Sequence, residues 1–474
     1  MNIIMATSEV QPFIKNGDYC DTVYNLSKNL VDKCNISVFV PASKLILTYD
    51  IKKSKYIGIV NVYYNNHYYL TPLYLYVYEN INYYFVLNDS YFNRNNIYGY
   101  DDDIERFAFF SVAILTIIKK YNMCVDILHA HDYTCSIIGY LHKRYYGDIE
   151  MKTLFTIHKL SNSTIKGIDN NEISCFNSKI YIDHHFRIND DMVCKYPLLY
   201  YFDNVNTVSK SFAKELTTNE LSKDLKNIIN LLDKKIIGIL NSVDEIKYNP
   251  DTSDYVMYNY NNRNYIDNKK KNKKYIQREL GLEVNDNKML IVINSKITWE
   301  KGMCLVVDVI DKIIANKDIQ LIIIGNGSTE LTTKLEEYTN EDNFYFYYGY
   351  DSELKQKVYS GSDLIIQPSL IEPFGKNVVI AKKFGVVPYV RNSGGLKDLV
   401  ISIEENCKLA NGFKFEEFDS NEFYNGLENV IDIYKNKNEL FAKLTNNCMN
   451  DSYSWIDASK EYIINYKEIL AKDT

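Results

Sequence analysis

Polar and charged side chains follow several short apolar runs of this sequence, at points where β-strands are predicted to end. In open parallel sheets, ligands bind outside the carboxyl ends of the strands. These segments are therefore the first places to look for chemistry. In chain order, they begin at Lys15, His129, His158, Ser295, Glu372 and Ser393.

The first segment, Lys15-Asn16-Gly17-Asp18, follows the apolar run Ile3–Ala6 and precedes a periodic stretch that predicts a helix. A lysine and a glycine at a strand-to-helix turn can approach a phosphate, helped by free amides at the helix start. The alternative is an ordinary turn whose helix is capped by Asp18 or Asp21. Taken alone, this segment favours the ordinary turn.

The segment His129-Ala130-His131-Asp132 follows a second apolar run, and His158 follows a third. Two histidines beside an aspartate suggest a metal, but on a predicted loop they lack a further cluster of ligands. Polar side chains that hold a sugar or brace a helix start are the better interpretation. His158 could donate a hydrogen bond to a substrate hydroxyl or cap its strand.

In the second half, Lys296 and Lys301 lie between a predicted strand and a predicted helix. Two ammonium groups near a helix N-terminus can clamp a diphosphate leaving group. A surface helix start with solvated lysines is a strong alternative. The nearby Gly325-Asn326-Gly327 lacks the third glycine of a dinucleotide fingerprint and is weak as a motif.

Two further strand-to-helix turns come close together in the sequence. Glu372 precedes Pro373, the predicted first residue of a helix, and is followed by Phe374 and Gly375. The second turn contains Ser393-Gly394-Gly395. Such turns can offer backbone amides to phosphate oxygens and a carboxylate to a sugar hydroxyl. The two turns follow the two lysines in chain order, and together they are stronger evidence for a phosphate and sugar site than either turn alone.

The predicted elements form two series of strands alternating with helices, which indicates two parallel sheets. We expect an N-terminal Rossmann-like domain over residues 1–240, a C-terminal one over 241–450, and a C-terminal helix over 451–474 that packs back toward the first domain. Tyr-rich segments between 56 and 87 predict antiparallel strands or hairpins inserted in the first sheet. A single helix is predicted from Cys304 to Ile314.

Composition excludes several classes of function. The net charge of −7 argues against nucleic acid as the main partner, since binding phosphate backbones needs a basic face. The best basic patch, Lys269–Lys274, is expected to be a solvated loop or helix start. Nine scattered cysteines without a CxxC pair suit a reducing cytoplasm. A strand at the N-terminus predicts no targeting signal, and no apolar stretch approaches 18 residues, so no membrane span is expected.

Many short segments, in one order, carry a resemblance to a known family. They are Ser8-Glu9-Val10-Gln11-Pro12-Phe13, Glu105-Arg106-Phe107, His129-Ala130-His131-Asp132, Thr156-Ile157-His158, Thr207-Val208-Ser209, Lys301-Gly302, Gly349-Tyr350-Asp351, Glu372-Pro373-Phe374-Gly375, Ser393-Gly394-Gly395-Leu396 and Ser454-Trp455. By these residues the chain resembles the glycogen/starch synthase family of GT-B glycosyltransferases, nearly end to end.

The resemblance implies an α/β protein with two Rossmann-like, doubly wound domains facing across a cleft. It further implies a retaining transferase without metal or other cofactor. Such an enzyme moves glucose from ADP-glucose or UDP-glucose to the non-reducing end of an α-1,4-glucan. The implied partners are thus the nucleotide-sugar and the glucan, with no nucleic acid and no membrane.

The same resemblance implies roles for individual residues. Lys15 and Gly17 would lie near the diphosphate and glucose. His158 would contact the donor glucose, with Asp132 and Asn241 in the sugar pocket. Lys296 and Lys301 would neutralise the leaving phosphates. The remaining implied substrate contacts are Tyr350 at the base, Glu372 at ribose or glucose hydroxyls, and Phe374, Gly375, Ser393, Gly394 and Gly395.

Several positions depart from the family pattern. The family loop Lys-x-Gly-Gly-Leu has Asp18 and Tyr19 at its last two positions here, and Lys296 replaces the usual arginine. A carboxylate beside a diphosphate repels it, and lysine lacks the two-pronged fork of arginine. Two alternatives therefore stand beside an active synthase: a GT-B enzyme with another donor or acceptor, and a pseudoenzyme that binds glucan or partners a competent synthase.

Overall fold

The computed structural model describes residues 1–14, 19–42, 53–159, 199–218 and 236–471, together with five short strands between 164 and 194. The chain divides into two compact units. The first comprises Met1–Asn241 and Trp455–Thr474, and the second comprises Ser242–Ser454.

The strands, numbered along the chain, are β1 (Asn2–Ala6), β2 (Asn35–Pro41), β3 (Lys55–Tyr64), β4 (His67–Tyr78), β5 (Ile81–Val86), β6 (Ile127–His131), β7 (Lys152–Ile157), β8 (Thr164–Lys166), β9 (Ile173–Ser174), β10 (Lys179–Ile180), β11 (Arg187–Asn189), β12 (Met192–Cys194), β13 (Asn204–Thr207), β14 (Ile237–Gly238), β15 (Met289–Asn294), β16 (Ile319–Gly325), β17 (Phe344–Tyr348), β18 (Leu364–Gln367), β19 (Val387–Arg391) and β20 (Phe413–Phe415).

The α-helices are α1 (Tyr19–Leu30), α2 (Asp89–Phe92), α3 (Asp103–Lys120), α4 (Ile138–Tyr145), α5 (Lys210–Thr218), α6 (Tyr265–Glu279), α7 (Met303–Asp308), α8 (Ile310–Ala315), α9 (Thr329–Glu336), α10 (Ser352–Gly361), α11 (Lys376–Lys383), α12 (Gly395–Leu399), α13 (Ser420–Asn436), α14 (Asn438–Asn450) and α15 (Trp455–Ala471). Among the described residues, short 3-10 turns precede α4 (Tyr133–Cys135) and α7 (Trp299–Lys301), and a third precedes β13 (Leu199–Tyr201). Within the described ranges, no helix is both long enough and apolar enough to cross a membrane.

The first unit is built on a sheet with the order β14-β13-β7-β6-β1-β2-β5-β4-β3. Every pairing from β14 to β5 is parallel, whereas β4 pairs antiparallel with both β5 and β3. The Tyr-rich segments thus add β5 beside β2 and a β3–β4 hairpin at the edge of the sheet. The predicted antiparallel pairing holds for β3 and β4, but β5 also continues the parallel series beside β2.

The second unit is built on a sheet with the order β17-β16-β15-β18-β19-β20, in which every pairing is parallel. Numbered within the unit, this is the 3-2-1-4-5-6 order of the Rossmann fold. The parallel strands of the first unit have the same order about their own point of reversal, with β5-β2-β1 on one side and β6-β7-β13 on the other. The strand order reverses between β1 and β6 in one sheet, and between β15 and β18 in the other. At such a reversal two loops diverge, and the crevice between them is where ligands bind.

Burial explains why the apolar runs predicted the strands well. Every residue of β15 and of β16 is buried, because helices cover both faces of a parallel sheet. In the first unit, α15 packs against α1, and its Trp455, Tyr462 and Tyr466 lie in the same core as Ile3 and Val38. The C-terminal helix is therefore part of the first unit.

Two predicted helices differ from the observed ones. The helix predicted from Cys304 to Ile314 is two helices, α7 and α8, separated at Val309, whose φ of −118° and ψ of 12° are not helical. The helix predicted to start at Pro373 starts at Lys376, because Gly375 before it has a left-handed φ of 95°. The spacing of apolar residues predicts which face of a helix is buried. It does not show where a single non-helical residue interrupts or precedes the helix.

The basic run is not the solvated segment that we expected. Lys269–Lys274 lies within α6, and Lys269 and Lys273 are buried. The Lys269 ammonium donates to the carbonyls of Tyr359, Ser362 and Phe384. Lys273 pairs with the Asp363 carboxylate at 2.6 Å. The burial of these lysines could not be predicted from the sequence. A lysine in a helical segment has the same sequence pattern whether its ammonium faces solvent or donates to buried carbonyls.

Candidate active site

The two histidines of the segment His129-Ala130-His131 belong to β6 rather than to the loop predicted after it. Being two residues apart in a strand, they project to the same face, and their ring centroids are 4.0 Å apart. Both nitrogens of His129 have structural partners, Tyr466 Oη at 2.8 Å and Thr156 Oγ1 at 2.6 Å. His129 therefore joins the C-terminal helix to the sheet.

His131 and His158 form a pair at the carboxyl ends of adjacent strands. His131 Nδ1 lies 3.0 Å from His158 Nε2. Burial lowers the pKa of His131 to about 3 and holds the pKa of His158 well below its usual range, with a neighbouring histidine adding to the effect at His158. The lowered pKa values favour the neutral form of each ring, in which one of these two nitrogens donates to the other. His131 Nε2 is buried and, within the described part of the chain, has no hydrogen-bond partner.

Asp132 ends the strand in a conformation that few non-glycine residues adopt. Its φ is 60° and its ψ is 177°, and its side chain accepts a hydrogen bond from the Tyr133 amide at 2.8 Å. Such backbone strain costs about 1–3 kcal/mol and is concentrated at functional sites. Asp132 is fully buried, and it directly follows His131 in the chain. The sequence pointed to Asp132 by type and position, but it could not show the strain.

Tyr19, at the start of α1, is a member of this cluster that the sequence did not single out as a binding residue. Its ring stacks on His158 with centroids 5.0 Å apart and planes 20° apart. Its hydroxyl lies 2.5 Å from Ser8 Oγ and also bonds Tyr98 Oη. Tyr98 in turn donates to Glu9 Oε1 at 2.9 Å. The sequence held one indication that Tyr19 belongs to the site: it occupies a position of the family loop where leucine is usual.

The remaining predicted residues of the first unit are Asn241, Lys15 and Gly17. Asn241 is buried, and its Nδ2 donates to Thr22 Oγ1 at 3.4 Å. Its Oδ1 has no hydrogen-bond partner among the residues that the structure describes. A buried amide oxygen in that state is suited to accept a hydrogen bond from a ligand hydroxyl. Lys15 and Gly17, with Asp18, lie outside the described residues.

In the second unit, the loops after β15 and β18 meet at an ion pair. Lys301 Nζ lies 2.8 Å from Glu372 Oε2, with the two side chains 24% and 12% exposed. The same carboxylate oxygen accepts from Ser369 Oγ at 3.1 Å and from Gln367 Nε2 at 3.2 Å. Glu372 is therefore fixed by three donors, and it fixes the Lys301 ammonium in turn.

Gly302 allows these two loops to approach each other. Its φ is 72°, and a Cβ at this position would lie 2.0 Å from the Pro368 carbonyl oxygen. Any other residue would push the Lys301 loop away from the loop that carries Glu372. Lys296, on the same loop as Lys301, is exposed. The lysines are thus placed differently: one is ordered by a carboxylate and one extends into solvent.

The glycine-rich turn after β19 packs on the Glu372 segment. Ser393 Oγ donates to the Ser369 carbonyl at 2.8 Å, and the Gly395 amide donates to the Glu372 carbonyl at 2.7 Å. A Cβ on Gly395 would lie 2.4 Å from the Phe374 carbonyl oxygen. The structure therefore brings together the predicted residues of these two turns, Glu372, Phe374, Gly375, Ser393, Gly394 and Gly395.

Tyr350 lies at the same edge of the second sheet, just after β17. The residue is 64% exposed, and Asp351 beside it caps α10 by accepting from the amides of Glu353 and Leu354. As for metals, the described residues contain no group of three or more histidine, cysteine, aspartate or glutamate side chains that could hold an ion.

Two Rossmann-type sheets, each with polar groups at its point of strand reversal, form the architecture of the GT-B class of glycosyltransferases. Comparison with known proteins agrees. Residues 2–231 match the starch synthase catalytic domain, and residues 275–447 match the glycosyl transferases group 1 domain.

Full-length relatives narrow the class to a family. The chain is 32% identical to the glycogen synthase of Clostridium botulinum (strain Alaska E43 / Type E3), over 99% of each chain. It is 32% identical to that of Streptococcus mutans serotype c, over 99% of this chain and 100% of the relative. The catalytic domain of starch synthase IV from Arabidopsis thaliana, solved with ADP and acarbose, superimposes with a TM-score of 0.88 at 25% identity, covering 99% of each chain.

The chain belongs to the glycogen/starch synthase family. It is a glucosyltransferase that extends a glucan. A more distant match, the sucrose-phosphate synthase of Thermosynechococcus elongatus, has a TM-score of 0.62 at 14% identity and shares the fold.

Proposed function

We propose that the protein transfers glucose from ADP-glucose to the non-reducing end of an α-1,4-glucan with retention of anomeric configuration. The observation that carries the proposal is the fixed Lys301–Glu372 pair at the strand reversal of the second sheet. The starch synthase IV structure, which contains ADP and acarbose, supports the choice of an adenine nucleotide and a glucan.

In the second unit, the proposed roles concern the nucleotide. Lys301 neutralises the charge that develops on the leaving diphosphate, with Lys296 as a second cation. Glu372 accepts hydrogen bonds from ribose or glucose hydroxyls while it orients Lys301. The Ser393-Gly394-Gly395 turn, with Phe374 and Gly375, lies against the phosphates, and Tyr350 lies against the base. Each of these groups is close to the edge of the sheet where ligands of this fold bind.

In the first unit, the proposed roles concern glucose. His158 contacts a hydroxyl of the donor sugar, and Asp132 and Asn241 accept hydrogen bonds from others. A neutral imidazole suits this task, because it can bind a hydroxyl without attracting the diphosphate to the wrong position. Lys15 and Gly17 are predicted to lie near the diphosphate and glucose.

The proposed reaction needs no covalent intermediate on the protein. The bond from the anomeric carbon to the diphosphate breaks, and a bond from that carbon to the acceptor O4 forms on the same face. The proton of the acceptor hydroxyl passes to the leaving diphosphate. The protein then contributes positioning and charge stabilisation.

A donor screen tests the proposal. Purified protein with ADP-glucose and glycogen should release ADP and lengthen glycogen chains, with slower turnover of UDP-glucose. Faster turnover of UDP-glucose would contradict the adenine preference. If neither donor reacted while the protein still bound glycogen on an affinity gel, the chain would be a glucan-binding pseudoenzyme, and the proposed transfer would be wrong.

A further inference from the structure

An exposed tryptophan lies on the turn that carries Lys301. Trp299 begins the 3-10 turn Trp299–Lys301 and is 56% exposed, whereas Trp455, the other tryptophan of the chain, is 4% exposed. Tryptophan is mostly buried in folded proteins, because its exposure leaves a large apolar surface in water. A single exposed apolar side chain is nevertheless common, so its surroundings decide whether the exposure has a function.

Both the main chain and the ring of Trp299 are held. The Trp299 carbonyl accepts from the Gly302 amide at 2.9 Å, and the next carbonyl, that of Glu300, accepts from the Leu370 amide at 2.9 Å. The indole packs in an edge arrangement with Phe418, with ring centroids 5.3 Å apart and planes 65° apart. A ring that is positioned before binding loses little conformational freedom when a ligand stacks on it.

Phe418 is a fixed support for that ring. The Arg391 guanidinium carbon, at the end of β19, lies 5.7 Å from the Phe418 centroid. Beside Phe418 in the chain, the Glu417 amide donates to Glu422 Oε2 at 3.0 Å, and Asp419 caps α13. The aromatic pair therefore lies on the loops that follow the strands of the second sheet, at the edge where ligands of this fold bind.

The acidic residues next to the aromatic pair favour a neutral ligand. Glu300 directly follows Trp299 in the chain. Glu417 and Asp419 flank Phe418, and all three acidic residues are exposed. Carboxylates repel the phosphates of a nucleotide but accept hydrogen bonds from neutral hydroxyls. The negative face of an aromatic ring attracts weakly positive C–H groups, which a pyranose presents on its own faces. These features suit a sugar, and the polymer that this chain extends is a glucan.

We propose that Trp299, supported by Phe418, is a binding platform for an inner glucose of the glucan acceptor. The inference rests on the proposed function for the identity of the polymer, and it adds a contact away from the chain end that receives glucose. Lys296 and Lys301 keep their roles at the diphosphate. A long chain is held by the platform between transfers, whereas a short acceptor does not reach it. Trp299 thus sets the affinity for long acceptors without touching the reacting atoms.

Steady-state kinetics with acceptors of two lengths test the platform. Trp299→Ala should raise the KM for glycogen about three- to tenfold, because it removes the aromatic face. The KM for maltotriose, the KM for ADP-glucose and kcat should stay within about twofold of wild type. Trp299→Tyr, which restores a ring, should recover most of the affinity for glycogen. Tyr258→Ala, which removes another exposed ring of the second unit, is the matched control and should change none of these constants.

Tryptophan fluorescence tests binding without any transfer. In the absence of a donor, maltoheptaose should shift the emission of the wild-type protein to shorter wavelength and protect it from quenching by acrylamide, because the sugar covers the exposed indole. The response should be lost in Trp299→Tyr, whose remaining tryptophan, Trp455, is buried. It should be retained in Tyr258→Ala.

Three results would overturn the inference. An unchanged KM for glycogen in Trp299→Ala would show that the ring does not bind the polymer, and an equal rise for glycogen and maltotriose would place Trp299 at the site of transfer. Emission that responds to protein concentration and not to maltoheptaose would make the ring a contact between copies of this chain.

The proposed function is judged separately from the platform. Transfer to glycogen with no response of the Trp299 emission to maltoheptaose would keep the proposed function and reject the platform. A wild-type protein that transfers glucose from neither donor, while maltoheptaose still protects Trp299 from acrylamide, would reject the proposed transfer and keep the platform.

Discussion

Lys301 and Glu372, 71 positions apart in the chain, are joined by an ion pair of 2.8 Å at the strand reversal of the second sheet. The pair is partly shielded from water, and Ser369 and Gln367 donate to the same carboxylate oxygen, Glu372 Oε2, as Lys301 does. An ammonium that is ordered in this way costs little to reorganise when a second anion arrives. That property is what a leaving diphosphate requires.

Lys301→Ala should lower kcat roughly 10²–10³-fold, which is the usual cost of removing one group that stabilises developing charge. The fold should remain intact, because the side chain is partly exposed. Turnover of ADP-glucose on glycogen measures the effect. Lys317→Ala, which removes an exposed lysine paired with Glu341, is the control and should retain full activity. Near-normal turnover in Lys301→Ala would remove this lysine from the mechanism.

Glu372→Gln should lower kcat less than Lys301→Ala does, by about tenfold, because the amide still accepts hydrogen bonds but no longer orders the ammonium through charge. The double variant Lys301→Ala/Glu372→Gln tests the coupling. If Glu372 acts mainly through Lys301, the double variant should be no slower than Lys301→Ala alone. Fully multiplicative losses would show that the two side chains act independently.

The sequence predicted most strands of both sheets, although not β20, because buried parallel strands are continuous apolar runs. It also placed the polar segments of the candidate site at the carboxyl ends of those runs. Its failures have physical causes. The strand β6 runs on through His131, since a histidine can be buried when it is neutral and hydrogen-bonded. The burial of Lys269 depends on carbonyl partners that lie 90 to 115 positions away in the chain. No pattern along the chain encodes those contacts.

Tyr19→Leu restores the residue that is usual in the family, and we expect it to lower kcat about tenfold. It removes the ring stacked on His158 and leaves Ser8 and Tyr98 without their shared partner, and small displacements of a positioning group are costly. Tyr19→Phe, which keeps the stack, should stay within about threefold of wild type. Steady-state turnover measures both variants.

Two comparisons make the Tyr19 prediction specific. Tyr24→Leu, on the same helix but bonded at the surface to Glu79, should leave turnover unchanged. In a His158→Ala background, Tyr19→Leu should add little, because its effect passes through His158. An equal loss in both backgrounds would show that Tyr19 acts on something else.

Lys269→Met should destabilise the second unit by about 1–3 kcal/mol, because it removes the donor to the carbonyls of Tyr359, Ser362 and Phe384. Urea unfolding measures the change in free energy. Lys270→Met, at the adjacent exposed position, should change it by less than about 0.5 kcal/mol. Equal effects of the two substitutions would mean that the buried ammonium contributes nothing beyond its apolar stem.

The buried histidines should make the first unit less stable as the pH falls below about 6.5. Burial lowers the pKa values of His129, His131 and His158, that of His131 to about 3, so the folded chain does not take up protons that the unfolded chain binds near pH 6.5. Stability is therefore fully present above the unfolded pKa and is lost as the pH falls from there toward the folded pKa.

Between pH 7.5 and 5.5 His131, whose pKa is lowered to about 3, should cost roughly 1.4 kcal/mol of unfolding free energy, measured by urea titration at both pH values. His131→Asn removes one titrating group and should reduce the loss by about that amount. The comparison between the two proteins cancels the carboxylates, which titrate alike in both. An identical pH dependence in His131→Asn and wild type would mean that His131 takes up its proton over the same pH range in the folded and the unfolded chain, and the lowered pKa of His131 would be wrong.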